Sequence, residues 1–120
     1  MTVTIDEIQR AYEETGAVAV AGEYFSTRYG TPHCCPMCAL YAQKLGLGKT
    51  EAMVDETIGE DQDAENGIVQ RLSSELGLSP GFVRGFIYGV DGSSPSHDDH
   101  DYRDGFKLGA AFRTHVLIGG

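Results

Sequence analysis

The sequence predicts a mainly α, single small domain over residues 1–120, with about five helices and room for a short β-hairpin after the first. Three observations predict it. Apolar residues recur at helical spacing through most of the chain. Helix-start signals stand at Thr4-Ile5-Asp6-Glu7, a capping box, and at Ser79-Pro80, an N-cap followed by proline. Glycines close the periodic runs at Gly16, Gly46 and Gly77. A chain of 120 residues with 41% hydrophobic content holds one modest core.

In order, the stripe Ile5, Ile8, Ala11 and Tyr12 predicts a helix over about 5–15. Ala17 through Ala21 is short and rich in valine. With Gly22-Glu23 as a turn and Tyr24 to Thr27 behind it, a hairpin is predicted there. The next helix opens at Pro36, where a missing N–H costs nothing, and Met37, Cys38, Leu40, Tyr41, Ala42 and Leu45 leave it little polar face. It is therefore expected at the centre, closed by Gly46 and Gly48. Thr50 to Ile58 predicts a short helix with Met53, Val54, Thr57 and Ile58 on one side, followed by an acidic linker from Gly59 to Gln62. Asp63 is the expected cap of a helix carrying Ile68, Val69, Leu72 and Leu76, which stops at Gly77-Leu78. Ser79-Pro80 restarts the chain into a helix with Phe82, Val83, Phe86, Ile87 and Val90, and a turn-rich stretch from Asp91 to His97 leads to the last helix, about 98–117.

Gly81, Gly85 and Gly89 are four apart and share a helix face. Because glycine costs ~1 kcal/mol inside a helix, three on one face predict a backbone approaching closely. The pattern Gly-Phe-x-x-Gly occurs at Gly81-Phe82 to Gly85 and again at Gly105-Phe106 to Gly109, which predicts that these consecutive helices cross tightly.

The net charge is −9, with 18 acidic and 9 scattered basic residues. Phosphate recognition needs clustered Lys and Arg, so neither nucleic acid nor an anionic membrane is expected as a partner. No apolar run approaches the ~18–20 residues of a membrane span. The start lacks a basic-then-apolar leader, and three closely spaced cysteines do not make a secreted disulfide framework. A reduced, cytoplasmic protein is the expectation.

His33-Cys34-Cys35-Pro36-Met37-Cys38 gathers all three cysteines. Zinc takes four Cys or His ligands, usually as two short pairs. Cys35 and Cys38 form one such pair, His97 and His100 a second, and His33 or Cys34 are substitutes. Alternatively, Cys35-x-x-Cys38 at a helix start is the arrangement of a thiol redox pair, because unpaired amides and the helix dipole favour the leading thiolate. Burial alone is the third reading, cysteine being among the most often buried residues. Over about a dozen residues the stretch resembles the alkylhydroperoxidase family, whose Cys-x-x-Cys also opens a helix. That family places a histidine four residues past the second cysteine, where this chain has Ala42, so no function is carried over.

Two patterns are rejected. Gly48-Lys49-Thr50 lacks the first glycine of a phosphate loop, that position being Gln43. Asp98-Asp99-His100-Asp101 lacks the alternating oxygens of a calcium loop. With no catalytic motif, the sequence favours a small acidic, non-enzymatic binding or regulatory module. Its partner is an unidentified protein or small ligand, and the Gly-Phe faces offer a route to a homodimer. The alternatives are a zinc-stabilised domain using Cys35 and Cys38, and a Cys-x-x-Cys thiol oxidoreductase.

Overall fold

Thr4 opens the first helix as the capping box predicts. Its hydroxyl accepts the Glu7 amide at 3.2 Å, and α1, Ile5–Thr15, ends at Gly16 in the left-handed region with φ 74°. The computed structural model describes residues 3–20, 24–60, 64–92 and 99–118. Among them the chain is mainly helical, with six α-helices and a small three-stranded sheet after the first.

That sheet comprises β1 (Val18–Ala19), β2 (Phe25–Arg28) and β3 (Thr31–Cys34), in the order β1-β3-β2. β3 runs parallel to β1 and antiparallel to β2. A hairpin does follow the first helix, but its strands are β2 and β3, whereas the sequence pointed to Ala17–Ala21 against Tyr24–Thr27. The turn that decides this is Tyr29-Gly30. Arg28 pairs with Thr31, leaving a two-residue loop with φ 54° and 79°. Two positive φ values define a type I′ turn, whose twist matches that of the flanking strands. The expected turn at Gly22-Glu23 lies outside the described residues. Pro32 argues against a central strand in a sequence reading. Here β1 reaches only His33 and Cys34, so Pro32 sits where β3 has a single neighbour.

Tyr29 is fully exposed and packs nothing that its φ would serve. A side chain other than Asn or Asp pays ~1–2 kcal/mol in the left-handed region. Tyr29→Asn is therefore expected to raise the stability by about 1 kcal/mol. The urea midpoint checks this, and an unchanged or lowered midpoint refutes the turn assignment.

β3 passes into α2 (Pro36–Leu45) through Cys35 alone, and every residue from Pro36 to Ala42 is buried. This helix is the centre of the molecule, packed by α1, by α3 (Leu47–Glu60) and by α4 (Ala64–Leu76). Gly46, at φ 103°, makes the break between α2 and α3 by itself, whereas Gly48 is helical, so α3 starts three residues before Thr50. Thr50 takes the middle of the buried face with Met53, Val54 and Thr57, its hydroxyl donating to Gly46 O at 2.9 Å. Ile58, expected on that face, is 57% exposed. With Thr50 at its middle, position 58 falls ~80° away at ~100° per residue, at the edge of the stripe. α4 ends as predicted, with Gly77 left-handed and Leu78 N–H donating to Ser73 O at 3.1 Å while its side chain is buried. The expected Asp63 cap lies outside the described residues.

Ser79 caps α5 (Pro80–Asp91), its hydroxyl accepting the Phe82 amide at 3.1 Å. α6 (His100–Phe112) continues into a wider π-helical turn, Arg113–Ile118. The two α-helices meet backbone to backbone. A methyl group at Gly85 would overlap Tyr102 O, at Gly89 Phe106 O, at Gly105 Phe82 O and at Gly109 Phe86 O. Partners advance together along both helices, so α5 and α6 run parallel, and α6 begins beside the start of α5. These glycine faces are occupied by each other within one chain, so a homodimer would need another surface. Val83, Phe86 and Val90 face the core, where Phe86 meets Phe112 at 6.4 Å and Phe112 stacks on Tyr12 at 6.1 Å.

Candidate functional site

Cys35 is the N-cap of α2, held in extended backbone at φ −65°, ψ 160°. Two main-chain bonds fix it there: its N–H donates to Tyr24 O at 3.0 Å, and its carbonyl accepts Ala39 N–H at 2.9 Å. Proline at the next position removes a donor where none is needed. The cysteine sulfur thus replaces the hydroxyl or carboxylate oxygen of an ordinary cap. It accepts the Cys38 amide at 3.4 Å.

The Cys38 thiol, the Cys38 amide and the Met37 amide hold the Cys35 thiol below its ordinary pKa, the Cys38 thiol contributing most. Burial and the Asp91 carboxylate oppose them. Cys38 shows the reverse, pushed well above its ordinary value because its thiol is the donor in that bond and because it is buried. The pair thus divides into one thiol that gives up its proton readily and one that retains it. Three residues along a helix start bring the two sulfurs onto adjacent positions of the first turn.

A small cleft of about 80 Å³ opens beside Cys35, lined by Tyr24, Pro36, Met37, Phe86, Ile87, Val90 and Asp91. Cys35 is 6% exposed, whereas Cys34 and Cys38 are fully buried. Apart from Tyr24, Cys35 and Asp91, the residues that line the cleft are apolar. Tyr24 keeps its proton, its pKa raised by burial and by the nearby charges of Glu65 and Cys35. Tyr88 is pushed up to about 12, chiefly by the Glu65 carboxylate beside it.

The remaining candidates do not join this centre. Cys34 ends β3 on its buried face, pushed up to about 12 by burial, and its carbonyl accepts Tyr12 O–H at 2.8 Å. His33 is on the other face of β3, its Nδ1 3.0 Å from Thr31 O. His97 lies outside the described residues. His100 is exposed at the start of α6, 3.2 Å from the Asp104 carboxylate. Cys35 and His100 stand at opposite ends of α5, a helix of 12 residues and so ~18 Å long. The proposed zinc pairing of Cys35 and Cys38 with His100 is therefore not assembled. Among the described residues no three His, Cys, Asp or Glu side chains come together as a metal-ligand group. No helix of the described residues is long and apolar enough to cross a membrane.

The titrating groups predict an optimum in pH. The folded-state pKa of Cys35 is depressed, so its contribution grows as pH rises through that value and is complete above the unfolded pKa of about 9. Cys34, Cys38, Tyr12, Tyr24 and Tyr88 are raised, so the unfolded chain ionises first and stability falls above about 9 for the thiols and 10 for the phenols. Urea midpoints at pH 7.5, 9 and 10.5 are expected to decline over the last interval, and Cys34→Ala to flatten that decline. A profile unchanged through pH 10.5 contradicts the burial of these groups.

Sequence reading identified Cys35 and Cys38 but missed Tyr24, Phe86, Val90 and Asp91 as their surroundings. No spacing pattern links residues 35 and 91; they meet only because α5 lies across the mouth of α2. No family model, curated protein or solved structure matches the chain.

Proposed function

We propose that the protein is a thiol–disulfide oxidoreductase in which Cys35 attacks and Cys38 resolves. The observation that carries this reading is the placement of Cys35 as the N-cap of α2, its sulfur accepting the Cys38 amide at 3.4 Å at the edge of a cleft, with the second thiol three residues on. The reading takes precedence over a binding module because the acidic surface alone names no ligand, whereas the paired thiols specify a chemistry.

The ionised Cys35 sulfur attacks a disulfide R–S–S–R, forming a Cys35–S–R bond and releasing R–S⁻, which takes a proton from water. Cys38 then attacks the Cys35 sulfur, closing the Cys35–Cys38 bond, and its proton leaves with the second R–SH. The protein dithiol is oxidised by two electrons and the disulfide is reduced to two thiols. At the start of a helix the dipole and the free amides stabilise the reduced, anionic form of Cys35, which makes the protein disulfide a ready oxidant.

Equilibration with reduced and oxidised dithiothreitol tests this. A single two-electron transition is expected, absent from Cys38→Ser. Cysteines that stay reduced in the folded protein at every ratio overturn the proposal.

A further inference from the structure

Resting on the redox reading, we infer that Tyr12 is the positioning residue for the Cys35 nucleophile, its hydroxyl holding the Cys34–Cys35 peptide so that the sulfur stays on the Cys38 amide. The peptide between the two cysteines is one rigid plane, and both of its polar atoms are held. Tyr12 O–H donates to Cys34 O at 2.8 Å, Val20 N–H donates to the same oxygen at 3.3 Å, and Cys35 N–H donates to Tyr24 O at 3.0 Å. The carbonyl on the far side of Cys35 is fixed in turn by Ala39 N–H. With the planes on both sides set, Cys35 keeps the extended backbone from which its sulfur caps α2.

Tyr12 supplies the shortest of the bonds to the Cys34–Cys35 peptide, and the only one of them made by a side chain. Its ring belongs to the apolar stripe of α1 and stacks on Phe112 at 6.1 Å. Phenylalanine would fill that place as well, so the hydroxyl is the part of the residue that packing does not require. A buried phenol needs a partner, and this one takes the carbonyl immediately before the nucleophile. Its pKa is raised, first by burial and then by the charges of Cys35, Cys34 and Cys38, so it remains a donor wherever Cys35 titrates. The other titratable groups around the Cys35 sulfur are Cys38, Cys34, Tyr24 and Asp91, and Tyr12→Phe alters none of them.

The pH profile of iodoacetamide labelling at Cys35 reads how the sulfur is held. In Tyr12→Phe the Cys34 carbonyl keeps Val20 N–H as a partner, so a cooperative urea transition is expected to persist. The Cys35 midpoint should move up by about half a pH unit or more. Labelling at pH 7 should slow about twofold or more, the smaller thiolate fraction outweighing its greater nucleophilicity, and oxidation by bis(2-hydroxyethyl) disulfide should slow in parallel. Thr57→Val is the control: it removes a buried hydroxyl that donates to Met53 O at 2.7 Å in α3, and it should leave the Cys35 profile unchanged. A Tyr12→Phe profile that matches wild type, or an equal shift in Thr57→Val, overturns the role of Tyr12 while the dithiol chemistry stands. A second measurement needs no variant: the Tyr12 hydroxyl hydrogen of the wild-type protein is expected as a slowly exchanging NMR signal. Exchange as fast as that of the exposed Tyr29 overturns the role equally. If the disulfide does not oxidise wild-type Cys35, the redox reading itself fails.

Discussion

Gly105→Ala is expected to destabilise the protein by ~2–3 kcal/mol, a large share of the total for a domain of this size. The added methyl would overlap Phe82 O and lie 2.9 Å from Phe86 N, both backbone atoms of α5. A side chain can rotate out of such a contact, but a helix backbone cannot. The parallel pair α5–α6 would have to separate, opening the packing at Phe86 and Phe112. Alanine's better helix propensity, worth ~1 kcal/mol, offsets only part of this. Gly48→Ala is the matching control, since Gly48 is helical with open space where the methyl would go, and a small gain in stability is expected there. Urea denaturation of the two variants checks the pair. Equal midpoints contradict the close approach of the two backbones.

The second large effect is on thiol reactivity. Iodoacetamide is expected to modify Cys35 at neutral pH at least ~10-fold faster than Cys34 or Cys38, since each unit of pKa separation changes the thiolate fraction about tenfold. The pH midpoint of that reaction should fall below the ordinary thiol value. Cys38→Ala removes the neighbouring thiol that does most to lower the Cys35 pKa, so the midpoint should rise and labelling at pH 7 should slow by several-fold. Three thiols that react only after unfolding contradict the assignment. The narrow cleft limits access, so a small neutral reagent is the right probe.

The helical architecture was largely legible because its signals are local. The Thr4 box, the Ser79-Pro80 start and the Gly77-Leu78 stop each specify a hydrogen bond within a few residues, and each of those bonds is present. The glycine spacing of α5 and α6 was also legible, since glycine four apart has few reasons to exist in a helix other than a close neighbour. Its direction was not. That α6 starts beside the start of α5 depends on where the chain goes between them, which no periodicity encodes. The hairpin was misplaced because Gly22-Glu23 competes with Tyr29-Gly30 as a turn, and a tyrosine at positive φ is an unusual choice. Pro32 further disguised β3.

At the site, the sequence identified the two sulfurs and the helix start but left their use open among zinc, redox and burial. Burial holds for all three cysteines, with Cys35 the least enclosed at 6% exposed. Cys35 differs from the other two in capping α2 through its sulfur and in bordering a cleft, and the cleft depends on the tertiary arrangement. Asp91 looks in sequence like an ordinary residue at a helix end, and only the fold places it among the residues lining the Cys35 cleft.

The most direct measurement of the central claim uses the reduced, folded protein and one equivalent of bis(2-hydroxyethyl) disulfide, followed by acid quench, alkylation under denaturing conditions and mass spectrometry. The dithiol account predicts a single intramolecular disulfide between Cys35 and Cys38, two released thiols, and Cys34 as the only alkylated cysteine. Three alkylated cysteines, or a disulfide that includes Cys34, would contradict it.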